Sequence, residues 1–171
     1  GSTITESKII IPREISITLR EICTKIGISP AVLFHAAYGL VVSKCSNKNY
    51  AIFGTLFSGR LQGSAAAAHS IGLFINTLPL TVKIEGSVLE YINEVKKQLQ
   101  DLLQYEQTPL SSIQKWSGIS NELPLFSALF NYRHSQDFSI ESDAIRQYDF
   151  EILCVRERTN YPFALAVDDL G

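Results

Sequence analysis

The sequence predicts an α/β fold, a layered sandwich built on a mixed β-sheet. Three observations carry that prediction. Apolar residues recur at helical spacing in three segments before residue 108; a run rich in aromatic and β-branched residues, YAIFGTLFS at 50–58, interrupts them; beyond residue 124 the apolar period drops to two. Helices and strands interleaved in this order stack in layers, and periodicity leaves the strand order open. The 171 residues suit one compact unit.

The first helix is predicted in IPREISITLREICTKIG (11–27), where Ile15, Leu19, Ile22 and Ile26 fall at steps of four, three and four. Pro12 stands near its start and Gly27 just past its end. Ser29 and Pro30 then occupy the N-cap and first-turn positions of a second helix, AVLFHAAYGLVVSKC. Leu33, Ala36, Ala37, Leu40 and Val41 give it a broad apolar face, expected to be deeply buried. YAIFGTLFS, bounded by Asn49 and Gly59, reads as a strand, and Gly54 inside it marks a bulge or a close backbone approach. SIGLFINTLPLTV (70–82) is almost wholly apolar, yet it holds Asn76 and Thr77 and then Pro79. Proline lacks an amide hydrogen, so this stretch is neither helix interior nor central strand throughout, and an extended crossing segment is expected.

Ser87 and Glu90 form a capping box, after which Val88, Ile92, Val95, Leu99 and Leu102 keep helical spacing until Thr108 and Pro109 end the run. LFSALFNYR (125–133) sets Phe126, Ala128, Phe130 and Tyr132 on one side; YDFEILCV (148–155) and FALAV (163–167) alternate likewise, so all three read as strands. The alanine run SAAAAH (64–69) reads as a surface loop or helical turn.

Charge is nearly balanced, 15 Lys and Arg against 17 Asp and Glu, with no basic run to meet nucleic acid or an acidic membrane. Every apolar window is broken well before the about 20 residues a bilayer requires, and no signal-peptide pattern opens the chain. A soluble, cytoplasmic protein is expected. Cys23, Cys45 and Cys154 have neither metal-site spacing nor an even count for pairing, so reduced and mostly buried thiols are expected. Gly1-Ser2 reads as a cleavage scar from expression, and the chain stops at Gly171 just after an alternating run.

The common hydrolase, phosphate and dinucleotide motifs, HExxH, GxSxG, P-loop and GxGxxG, are all missing. Of the histidines, His35 lies in the second helix and reads as a core residue bonded to backbone, and His69 reads as solvated. His134 is the best placed, but no second His or carboxylate stands at a spacing that would orient it. No catalytic residue and no metal site is predicted.

Five segments together do resemble one family. FGTLFSGR (53–60), IGLFINTLPLTV (71–82), YEQTPLSSIQKWSG (105–118), LFSALFNYRHS (125–135) and RERTNYPFALAVDD (156–169) are similar, in order and spacing, to motifs of nonribosomal peptide synthetase condensation domains. That resemblance implies a chloramphenicol-acetyltransferase-like fold of two lobes with the active site in a tunnel between them. Donor and acceptor carrier proteins would approach from opposite faces, bearing groups tethered through phosphopantetheine arms, and the acceptor amine would attack the donor thioester. No cofactor would be bound directly. The family's catalytic HHxxxDG motif, which lies in the N-terminal lobe, has no counterpart here. Residues 3–171 therefore resemble a C-terminal lobe without its N-terminal partner and without its last strand and helix, inactive alone.

By position within the motifs, the resemblance makes Asn76, Arg60, Thr55 and Ser58 tunnel-lining or structural residues. Asn76 would either meet substrate or satisfy irregular backbone at the lobe junction. Arg60 would pair with a carboxylate across the lobes, and Thr55 and Ser58 would face the tunnel or serve as ordinary strand hydroxyls. Arg156 and Pro162 match the family's RDxSRNPL motif, from which Asn160 and Tyr161 depart. Two alternatives stand beside this reading: a lobe of an epimerisation or heterocyclisation domain, and a non-catalytic carrier-protein-binding module. An apolar face made to meet the N-terminal lobe would also lead the isolated chain to self-associate as a homo-oligomer.

Overall fold

The computed structural model describes residues 4–58, 74–120, 122–134 and 159–171. Gly1-Ser2, Arg60, the alanine run 64–69 with His69, the strand expected at 148–155 with Cys154, and Arg156 lie outside them. Pro12 ends an extended lead-in and α1 follows at Arg13–Ile26. Gly27 takes a left-handed φ of 70°, which lets the amides of Gly27 and Ile28 close on the carbonyls of Thr24 and Cys23. α2 spans Pro30–Cys45, and Ser29 Oγ caps it by accepting from the Val32 amide.

The face that α2 buries differs from the expected one. Leu40 and Val41 are exposed, whereas Val32, His35, Ala36, Gly39 and Ser43 turn inward with Tyr38. Two short-range contacts explain the choice. A side chain at Gly39 would begin 2.7 Å from Val82 Cγ2 and 2.8 Å from the Tyr91 hydroxyl, so only glycine allows this approach. His35, one turn earlier, is bonded across to Thr55. Close packing and one buried polar pair outweigh the transfer of Leu40 and Val41. Cys45, at the end of α2, is exposed where burial was expected; Cys23 is buried.

β1 (Tyr50–Phe57) pairs antiparallel with β2 (Asn76–Lys83) and parallel with β3 (Ala128–His134), which pairs parallel with β4 (Phe163–Asp169). The order β2-β1-β3-β4 is the mixed sheet the sequence predicts. The stretch expected as an extended crossing segment is in part this β2, an end strand of the described sheet, where Pro79 is tolerated opposite Gly54. α3 (Val88–Leu103) has the full Ser87–Glu90 capping box, and α4 (Leu110–Trp116) follows Pro109, a short helix that the spacing did not predict. Ala36 and Tyr38 of α2, Ile92 and Val95 of α3 and the sheet residues Phe53, Leu80, Val82 and Phe130 form one core. Among the described residues no single helix is long and apolar enough to cross a membrane.

Gly54 is the close approach the sequence predicts. A Cβ there would lie 2.3 Å from the Phe126 ring and 2.9 Å from Thr77 Cγ2. Gly54→Ala should therefore cost about 2 kcal/mol through overpacking, read as a lowered urea midpoint at unchanged m.

Candidate functional site

The sharpest polar construction lies where β2 begins. After α3 the chain coils through successive turns, the amides of Tyr105, Glu106 and Thr108 returning to the carbonyls of Leu102, Leu103 and Tyr105. Asn76 takes two carbonyls of this connection. Its Nδ2 donates to Glu106 O at 2.8 Å and to Thr108 O at 2.7 Å, while Oδ1 accepts from the Thr77 amide at 2.9 Å. Both amide hydrogens are thus committed to backbone, and the side chain clamps the α3–α4 connection to the edge of the sheet.

Thr55 lies on the helix-facing side of β1, 1% exposed, against His35. His35 Nδ1 donates to Ala31 O at 2.6 Å, which leaves Nε2 to accept from Thr55 Oγ1, also at 2.6 Å. Burial pushes the imidazole pKa down to about 4, against the smaller opposing effect of the Ala31 bond. The ring packs edge-on against Phe130, centroids 4.4 Å apart. His35 is thus the core histidine the sequence predicts, bonded to backbone and neutral at pH 7. Ser58 is exposed just past β1, and Pro162 is exposed in the bend before β4. Beside Pro162, Tyr161 stacks on Phe126 at 5.3 Å, over Gly54. The structure brings Asn76 and Thr55 to neighbouring strands without a bond between them, and leaves Ser58 and Pro162 exposed.

A second polar centre lies outside the residues singled out by sequence. Asp169 is 8% exposed, and its carboxylate accepts from Arg20 Nη2 on α1, from the Tyr132 hydroxyl on β3, and from the Gly171 amide at 3.2 Å. His134 Nδ1 stands 3.3 Å from the same carboxylate, a neighbour that lies 35 positions along the chain and is brought close by the β3–β4 pairing of His134 with Asp169. Burial would raise the Asp169 pKa, but the Tyr132 and Arg20 bonds outweigh it and bring it down to about 2. A signal was present: Asp169 continues the alternation of Phe163, Leu165 and Val167, so a carboxylate is carried to the helix side of the sheet. Among the described residues no group of three or more His, Cys, Asp or Glu is placed to hold a metal.

Helices packed on a mixed sheet of order β2-β1-β3-β4, with an asparagine tying the start of β2 to the α3–α4 connection, suit the chloramphenicol-acetyltransferase-like fold that the resemblance implies. The chain belongs to the condensation domain family, whose profile matches residues 3–170. It is 41% identical over its whole length to malpibaldin synthetase of Mortierella alpina and 33% identical over 78% of its length to a linear gramicidin synthase of Brevibacillus parabrevis. It spans 3% and 2% of those proteins. Among solved structures, the condensation domain of a monacolin K polyketide synthase superposes with a TM-score of 0.66 at 20% identity, over 75% of this chain and 31% of that one. The first condensation domain of the CDA synthetase gives 0.62 at 17% identity, over 71% of this chain and 28% of that one.

Proposed function

We propose that this chain is the C-terminal lobe of a peptide-bond-forming condensation domain in a nonribosomal peptide synthetase. The observation that carries the reading is the family match over residues 3–170 in a sequence that holds no HHxxxDG. The reaction joins an acceptor amine to the carbonyl carbon of a donor thioester: the C–N bond forms, the C–S bond breaks, and the thiol of the donor's phosphopantetheine arm leaves with a proton. The proton-handling histidines of that step belong to the other lobe. This lobe's part is positional. It supplies a tunnel wall, with Asn76 fixing the connection that borders it, and a surface for the donor and acceptor carrier proteins. The outward Ile15, Ile17 and Ile22 of α1, with the exposed Ile9 and Ile10 before it, suit an apolar partner such as the N-terminal lobe, or a second copy when that lobe is missing.

The test is a peptide-forming assay with loaded carrier proteins. The 171-residue chain alone should give no product, and a polypeptide in which an HHxxxDG-bearing lobe precedes it should give peptide that is lost on deleting this region. Turnover by the chain alone, or by the longer polypeptide without residues 3–171, would overturn the reading.

A further inference from the structure

α1 is poorly anchored by apolar contact. Only Cys23 is buried along its 14 residues, and Ile15, Ile17 and Ile22 are 51%, 47% and 45% exposed. Its inner face adds the partly buried Ile26 to the core. Yet from the same face Arg20 reaches Asp169, at the far end of the sequence, and that carboxylate also collects the Tyr132 hydroxyl from β3 and the Gly171 amide. A helix with little buried apolar surface and one multiply bonded, buried counter-ion has the composition of an element that opens locally while the rest of the fold stays closed.

We infer that α1 is a separately opening helix, held on the sheet by a latch in which Asp169 of β4 grips Arg20. Tyr132 and the Gly171 amide hold the carboxylate in place, so the latch is rigid on the sheet side and releasable on the helix side, where the Arg20 side chain is 37% exposed. Cys23 lies three residues, about one turn, beyond Arg20 and is 2% exposed, so opening of α1 uncovers its thiol. This inference concerns the chain's own conformational equilibrium and does not depend on the condensation reading.

Thiol alkylation with peptide mapping tests it, together with amide hydrogen exchange of the same chain. Cys45 is already exposed and sets the reference rate. In Asp169→Asn and in Arg20→Met the Cys23 thiol should alkylate about tenfold faster or more, and α1 amides should exchange faster by a similar factor, with α3 amides unchanged. Arg20→Met leaves the sheet-side bonds of Asp169 in place and decides the matter if Asp169→Asn does not fold. An unchanged Cys23 rate in Arg20→Met would overturn the latch, as would equal acceleration of α1 and α3, since the helix would then open only with the whole fold.

Discussion

Asn76→Ala should lower unfolding stability by about 3 kcal/mol, with two backbone carbonyls and one amide losing their partner at about 1 kcal/mol each. The carbonyls are those of Glu106 and Thr108, and the amide is that of Thr77. Asn76→Asp should be worse, because a carboxylate has no hydrogen to donate and would set negative charge against both carbonyl oxygens. Urea titration measures the loss, and limited proteolysis locates it, with faster cleavage in the connection at 104–109. An asparagine acting on substrate predicts the opposite pattern. Stability and proteolysis would then be unchanged in Asn76→Ala, and only peptide formation by the longer polypeptide would fall. The geometry favours the clamp because a substrate carbonyl would find neither amide hydrogen available.

Local signals in the sequence predict the ends of elements better than their faces. Gly27 closes α1, the Ser29 hydroxyl caps α2 and the Ser87–Glu90 box caps α3, each satisfying helix-end backbone groups within a few residues, while Pro12 and Pro30 preset the backbone where α1 and α2 start. The buried side of α2 depends on partners far along the chain. Val82 and Tyr91 crowd Gly39, and Thr55 bonds His35, so apolar periodicity pointed to Leu40 and Val41 instead. The same limit governs the polar sites. Asn76 stood out because an amide inside an apolar stretch needs partners, but the partners are carbonyls 30 and 32 residues away. Asp168 and Asp169 are alike in the sequence, two adjacent carboxylates after an alternating apolar run. Strand alternation separates them: Asp168 faces Arg133 at the surface, while Asp169 turns under α1.

Acid should weaken this fold as pH falls from 6.5 toward 4, and His35 is the reason. The folded imidazole has a pKa of about 4 against 6.5 for a free histidine, because charging it would place an uncompensated cation between Phe53 and Phe130. Between those values the unfolded chain binds the proton and the folded chain does not, so unfolding takes up a proton and stability rises with pH. The contribution is complete above pH 6.5, drains as pH falls, and is spent near pH 4, a change of about 3 kcal/mol. Asp169 acts in a lower window, its share present above 3.8 and lost only toward 2, so the two groups separate on the pH axis. Urea midpoints measured from pH 7 to pH 4 should fall steadily in the native sequence. His35→Gln keeps a polar side chain that can bond Thr55 but cannot titrate, and in that variant the slope between pH 6.5 and 4 should flatten even though stability at pH 7 is lower. A flat profile in the native sequence, or an unaltered slope in His35→Gln, would show that the ring takes up its proton without leaving the core.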